Sequence, residues 1–291
     1  MMGVIKRIIK GIVISVIIIV VLLIVDILIS WKGLKTTHYI YENEKLTKSI
    51  IAVQLTDLHN SQFGWKNVRL IKKIRNIHPD IIFMTGDMLN DDNKRTDIVE
   101  HLITKLSEIA PVYYSFGNQE SDYIKNYDTK EAFIKKIENA GAIVLEQEFE
   151  DVTINGQKVR IGGLYGYVLS EKLDWMDGSE QRFMEKFENT DRFTILLSHM
   201  PEGLYLWKSM EKWNIDLVFS GHVHGGQVRL PVIGGLYEPE QGFFPTTITK
   251  GMHKCGNGTM VLSAGLGSEE LVPRINNIPE IVVCEMKGSD R

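Results

Sequence analysis

The chain has 291 residues, 44% of them hydrophobic and 24% charged, with a net charge of −4. This is the composition of an ordinary globular protein, and the lack of any basic excess excludes nucleic acid as a partner. Two cysteines, Cys255 and Cys284, are too few for a disulfide framework and lack metal-site spacing.

The first element is apolar. Gly11 to Trp31 carries only Ser15, Ser30 and the charged Asp26 as polar breaks. A spanning helix needs about 20 residues, and no Ala-x-Ala-like site follows, so a retained anchor is expected rather than a cleaved signal peptide. Lys6, Arg7 and Lys10 precede it, and Lys32 and Lys35 follow. The excess on the amino-terminal side places the N-terminus in the cytoplasm and the body of the protein outside. Residues 1–31 are then a cytoplasmic tail and transmembrane anchor, 32–49 a linker, and 50–291 one folded domain. That domain, about 245 residues, is large enough to bury a full core.

In the domain, apolar runs alternate with helical periodicity. Ile50 to Leu55 reads as a buried strand, and Trp65, Val68, Ile71, Ile74 and Ile77 mark a helix face. Ile81 to Thr85 is the next strand, Ile98 to Ile109 a second helix, Val112 to Phe116 a third strand, and Thr129 to Ala140 a helix stopped at Gly141. Strands separated by helices of this length predict parallel βαβ units. Phe149 to Gly163 then reads as a hairpin turning at Asn155-Gly156. Helices are expected over Glu180 to Asn189 and Gly203 to Trp213, with strands at Thr194 to Ser198 and Leu217 to Ser220 and a Gly-rich β region to the end. The pattern predicts one α/β domain with two sheets.

Five polar motifs each follow an apolar strand: Asp57-Leu58-His59, Gly86-Asp87, Gly117-Asn118-Gln119-Glu120, Ser198-His199 and Gly221-His222-Val223-His224. Ligand sites in open α/β sheets lie beyond the carboxyl ends of strands. Singly, the first, second and fourth are weak, since a turn-capping Asp or a surface His explains them as well; Gly-His-x-His before Gly225-Gly226-Gln227 is stronger, because two imidazoles in a Gly-rich loop are rarely needed structurally. In order, and each at a strand end, they point to one site. Carboxylate, imidazole and amide donors suit Mn, Fe or Zn and can support a pair of divalent metal ions about 3.5–4 Å apart.

These motifs resemble the calcineurin-like metallophosphoesterase superfamily. The tail, including Gly221 to Pro231, Leu262 to Gly267, Pro273-Arg274 and Pro279-Glu280, is similar to its YaeI/YkuE-type branch of bacterial membrane-associated phosphodiesterases. The resemblance implies a four-layer αββα sandwich of two mixed sheets. It implies hydrolysis of a phosphate ester, a mono- or diester that is lipid-linked or envelope-associated, by a metal-bridging hydroxide at the cell membrane. It implies Asp57, His59 and His224 on one metal, Asn118, His199 and His222 on the other, and Asp87 bridging, with Asn118, Gln119 and His199 nearest the chemistry.

Two departures bear on activity. Gln119 stands where the family has His, and an amide cannot deliver a proton near neutral pH. Three outcomes are open: good leaving groups only, a substitute acid such as His253 or Glu120, or a metal- and phosphate-binding module with little turnover. Ala264 stands where many relatives carry Arg, and Arg274 is the candidate to compensate. Gln241 to Pro245 reads as a core-packing loop, with a grip on a lipid or aromatic leaving group as the alternative.

Overall fold

Alternation within the strands decides where the layers lie. The protein is described by a computed structural model covering residues 2–165, 178–205, 208–238, 242–243, 248–267 and 272–289. In chain order the elements are α1 (Met2–Lys32), β1 (Lys35–Glu42), β2 (Ile50–Leu55), α2 (Val68–Ile77), β3 (Ile81–Thr85), α3 (Asp97–Ser107), β4 (Val112–Ser115), α4 (Asn118–Tyr127), α5 (Lys130–Ala140) and β5 (Ala142–Val144). They continue with β6 (Glu148–Ile154), β7 (Gln157–Leu164), α6 (Ser179–Glu188), β8 (Phe193–Ser198), α7 (Glu202–Tyr205), β9 (Leu217–Ser220), β10 (Val228–Leu230), β11 (Gly234–Glu238), β12 (Gly242–Phe243), β13 (Gly251–Cys255), β14 (Gly258–Leu262) and β15 (Glu280–Lys287).

Two six-stranded sheets form, ordered β1-β15-β2-β3-β4-β5 and β13-β14-β9-β8-β7-β6, with a small β10-β11-β12 sheet beside them. In the first, β2 through β5 run parallel. In the second, β14, β9, β8 and β7 run parallel. Successive strand side chains point to opposite faces. Val53 and Leu55 of β2 therefore join one core with the helices α2, α3 and α5, while Ile50 and Ala52 join a second core between the sheets. In β8, Ile195 and Leu197 face that inter-sheet core, whereas Leu196 faces a third core with α6 and α7. Helix, sheet, sheet, helix is the expected αββα sandwich.

Three segments differ from their sequence reading. Lys32 to Ser49, expected as a linker, carries β1, which pairs in parallel with β15 from Lys35↔Glu280 to Glu42↔Lys287. Its signal was alternation: Tyr39 and Tyr41 turn inward onto the inter-sheet core while His38, Ile40 and Glu42 stay exposed. Gly203 to Trp213, expected as one helix, holds the short α7 and a 3-10 turn at Ser209–Glu211, with residues 206 and 207 outside the described set. The helix α4 starts directly at the third motif, where no apolar stripe announces it. Both cysteines are buried free thiols.

The two sheets meet at Phe83 and Phe219, whose ring centroids are 5.1 Å apart. Both side chains are fully buried. Phe219→Ala opens a cavity there and is expected to cost about 3–5 kcal/mol, read as a lowered midpoint in denaturant unfolding of the full chain.

Candidate metal centre

The parallel strands of both sheets end at one edge, and their next residues are the five motifs. Backbone bonds tie neighbouring ends together within each sheet: Asp57 N–H to Gly86 O (3.0 Å), His59 N–H to Asp87 O (3.0 Å) and Gly221 N–H to His199 O (2.9 Å). The loops turn sharply. Asp57, His59, Asp87, His222 and His224 all have positive φ, between 48° and 73°. Non-glycine residues held there are strained, and such strain collects at functional sites where surrounding structure enforces it. Two glycines permit the close approach. A Cβ at Gly117 would overlap the Asp87 carboxylate, and one at Gly221 would overlap Thr56 and the Asp57 carboxylate.

The side chains gather into two buried groups. Asp57, His59 and His224 bring ligand atoms within 4.8 Å of one another, and so do Asp87, His199 and His222. The imidazoles of His59 and His224 lie 5.0 Å apart, and those of His199 and His222 5.1 Å. One oxygen of Asp87 reaches into both groups, 3.2 Å from His199 Nε2 and 3.9 Å from His59 Nε2. Asn118 begins α4 beside them; its Oδ1 is shielded from solvent and has no hydrogen-bond partner. A buried acceptor without a donor is costly and fits a cation. All seven expected ligands are thus brought to one edge, and the donor set fits a pair of divalent cations.

Their orientation is enforced from behind. His199 Nδ1 lies 2.8 Å from Thr85 O and can only donate there, which fixes the ring with Nε2 turned toward Asp87. His59 Nδ1 lies 3.0 Å from Asn90 Oδ1. Asp57 accepts the His222 N–H at 3.0 Å, and Asp87 accepts the Gln119 N–H at 2.9 Å. Burial pushes the Asp87 pKa up, but His199, His59 and that N–H outweigh it and hold it below the carboxylate range. Burial lowers His199, yet the Asp87 charge overrides it and raises the imidazole to about 10. Burial, with His59 and Arg274 adding to it, keeps His224 well below its usual value and so neutral. A neutral imidazole is the form that ligates a metal.

Glu120 has a role that the sequence reading did not give it. It is fully buried. Its oxygens accept the N–H groups of Asp87 (2.8 Å), Met88 (2.8 Å) and Gly117 (2.7 Å) and the Tyr114 hydroxyl (2.7 Å). With all of that capacity used, it pins the loops of the second and third motifs and is not a substitute acid. Its signal was the Glu three residues into a helix, which reaches back to the helix start. His253 lies in β13, its Nε2 2.9 Å from Lys250 O, and joins neither ligand group. Gln119 accepts the Asp91 N–H on Oε1 at 2.9 Å, anchoring the polar loop after the second motif. Ala264 is fully buried and packs where a Cβ on Gly225 would meet it at 2.6 Å, a space without room for Arg. Arg274 is buried, donates to Gly267 O and places Nη2 3.2 Å from His224 Nδ1. Of Gln241 to Pro245, Gly242 and Phe243 are described; Phe243 is exposed and is not core packing, and Gln241, Phe244 and Pro245 lie outside the described residues.

Residues 52–226 match the family described as calcineurin-like phosphoesterase. The chain belongs to that family. Similar proteins include the uncharacterised metallophosphoesterase YkuE of Bacillus subtilis (strain 168), 28% identical over 82% of this chain and 79% of its own. Another, from Aquifex aeolicus (strain VF5), is 26% identical over 88% of this chain and 92% of its own. Among solved structures, phosphopantetheinyl hydrolase (PptH) from Mycobacterium tuberculosis superposes with a TM-score of 0.47 at 14% identity, covering 77% of this chain and 91% of that one. Family and ligand groups together make this calcineurin-like chain a metal-dependent phosphoester hydrolase.

Glu120→Ala strands three backbone N–H groups and one hydroxyl, at about 1–3 kcal/mol each. It is expected to lower unfolding free energy by more than about 3 kcal/mol and to lower bound metal in elemental analysis. Tyr114→Phe, which removes one donor, should cost about 1 kcal/mol and leave the metal content unchanged.

Proposed function

We propose that the protein hydrolyses a phosphate ester at a membrane surface with two metal ions. Asp57, His59 and His224 hold one ion, Asn118, His199 and His222 the other, and Asp87 both. The observation that carries this reading is the Asp87 oxygen within 3.9 Å of an imidazole from each group. When bound, two divalent ions of the Mn, Fe or Zn class supply an acidified water and neutralise charge on the phosphate.

The chain's own residues supply the rest. Asn118, at the start of α4, sits where its amide can hold a phosphate oxygen. The strained loops keep the imidazoles pointed inward, so little rearrangement is needed in the reaction, and preorganised charge of this kind is a large part of catalysis. Gln119 can donate a hydrogen bond to a leaving oxygen but not a proton. The substrate is then an ester with a good leaving group, such as an activated or diphosphate linkage, lipid-linked or otherwise held in the envelope. The helix α1 is long and apolar enough to cross a membrane. The cations at Lys6, Arg7 and Lys10 favour a cytoplasmic N-terminus and an extracytoplasmic active site. A second reading, a metal- and phosphate-binding module with weak turnover, is favoured by Gln119 being engaged with the Asp91 loop.

Full-length protein in nanodiscs is expected to bind two metal ions and, with Mn²⁺, to hydrolyse bis-p-nitrophenyl phosphate. Chelation should abolish the activity, and Asp87→Asn should lower kcat/KM by about 10²-fold or more. No turnover with Mn²⁺, Fe²⁺ or Zn²⁺ would sink the enzymatic reading. General acid catalysis is worth about 10²–10⁴ in rate. Gln119→His is therefore expected to accelerate cleavage of alkyl esters, which leave poorly, far more than of p-nitrophenyl esters. Equal acceleration of both would show that leaving-group protonation is not what position 119 controls.

A further inference from the structure

The anchor helix does not leave the domain freely. Its 31 residues exceed the roughly 20 that span a bilayer, and its last two turns dock on the protein. Asp26, the one charge in the apolar run, accepts the Asn276 N–H at 2.6 Å. Ser30 is fully buried and accepts the Asn277 N–H at 3.3 Å. Arg69 donates to the Lys32 carbonyl at 3.1 Å.

Between this helix end and the metal centre lies a cavity of about 420 Å³, within the range of about 300–1,000 Å³ of ligand pockets. Ile27 and Trp31 of α1 form one wall, and Phe63, Leu266 and Val272 form much of the other. Phe63 lies four residues past the first motif, and Leu266 follows directly on the Ser263 to Gly265 turn. Ser30, Lys32, Ser61, Gln62 and Arg274 are its polar lining, and Arg274 is 95% buried by its 5% exposure, with an Nη1 that has no hydrogen-bond partner. Nη2 of the same guanidinium is 3.2 Å from His224. A buried cation with a spare donor, next to a metal-site imidazole and at the head of an apolar slot, is built for an anion carrying a hydrocarbon chain.

The surroundings point to a bilayer as the source of that chain. Trp31 and Lys32, an aromatic and a cation of the kind found at membrane interfaces, flank the cavity. Trp65 and Val68, just before Arg69, are 79% and 56% exposed. The β10–β11 tip shows Val232 and Ile233 at 107% and 66% exposure, and β10 is joined to residues 275 and 276, of which Asn276 also meets the helix. Apolar side chains thus stand out around the helix exit, as on a face that rests in lipid.

We infer that this cavity takes the alkyl chain of a membrane phosphate ester, whose phosphate is presented to Arg274 and the metal centre. The inference rests on the phosphoesterase reading and narrows its substrate to an amphiphile drawn from the leaflet in which α1 ends. No water-soluble headgroup need enter alone, since the scissile phosphate is delivered by its own chain.

The test uses the full chain in phosphatidylcholine nanodiscs with Mn²⁺ and two diesters, hexadecyl and methyl p-nitrophenyl phosphate. Wild type is expected to prefer the hexadecyl ester by about tenfold or more in kcat/KM, since a few buried methylenes suffice for that factor. Partition into the bilayer enriches the long chain for every variant alike, so the ratio must also respond to the slot. Val272→Trp, which fills the cavity, should lower the hexadecyl-to-methyl ratio about tenfold, and Ile27→Trp, on the helix side, should do the same. Elemental analysis identifies a variant that has lost its metals through misfolding, and the other then decides. An unchanged ratio in a metal-loaded variant overturns the inference and leaves the phosphoesterase reading standing. Hydrolysis of neither ester overturns both.

Discussion

Two carboxylates, Asp57 and Asp87, are buried at the edge where two sheets converge, and the local structure exists to make that tolerable. An ionised carboxylate out of water costs several kcal/mol unless donors or cations surround it. Backbone N–H groups of His222 and Gln119 bond one each, and His199 and His59 bring compensating charge to Asp87. The compensation is incomplete for a site of this polarity, as the partnerless Asn118 oxygen shows. The donor set is one that divalent cations would complete. The strained backbone at five motif residues follows from the same constraint, because only sharply bent loops let polar tips from separate strands point at one spot.

Glu120 shows how the constraint spreads. It touches no expected ligand side chain, yet it bonds the backbone of Asp87 and of Gly117, the residue before Asn118. Burial and the neighbouring Asp87 charge push its pKa up, against which it is held by donors from Tyr114, Gly117 and Met88. Two buried acids side by side are stable only as part of a donor-rich network. The anchor is tied into the same scaffold. Asn277 donates its backbone N–H to Ser30 Oγ of α1 at 3.3 Å and its side-chain amide to His224 O at 2.7 Å. The apolar helix α1 and the His224 loop are thus joined through one residue, so the helix is a wall of the site region.

Much of this was legible in the sequence because strands and their caps leave periodic marks. Apolar runs located β2, β3, β4, β8 and β9, and the residues just past them include the six Asp and His residues that gather, with Asn118 at the start of α4. The edge strand β1 was missed because a half-exposed strand of Thr, His, Tyr and Ile next to a long apolar helix looks like a spacer. Glu120 and Asp26 were not given their roles because their partners include residues tens to hundreds of positions away. Asp26 meets Asn276 across 250 positions, and no local pattern encodes such a pairing. The long Gly203 to Trp213 helix was over-read, since an apolar period of that length suits a short helix and a 3-10 turn equally well.

The sequence by itself determined the kind of chemistry and where its ligands sit: hard and borderline donors in a fixed order, each one step past a buried strand, and one apolar helix ahead of them. Those are local facts, set by side-chain type and by the period of burial. Tertiary structure alone decided that Asp87 reaches both imidazole groups, that Glu120 spends its oxygens on holding loops, and that the anchor's last turns close a cavity against Arg274. Each of these depends on distances between segments far apart in the chain, and such distances are fixed only when both sheets have packed.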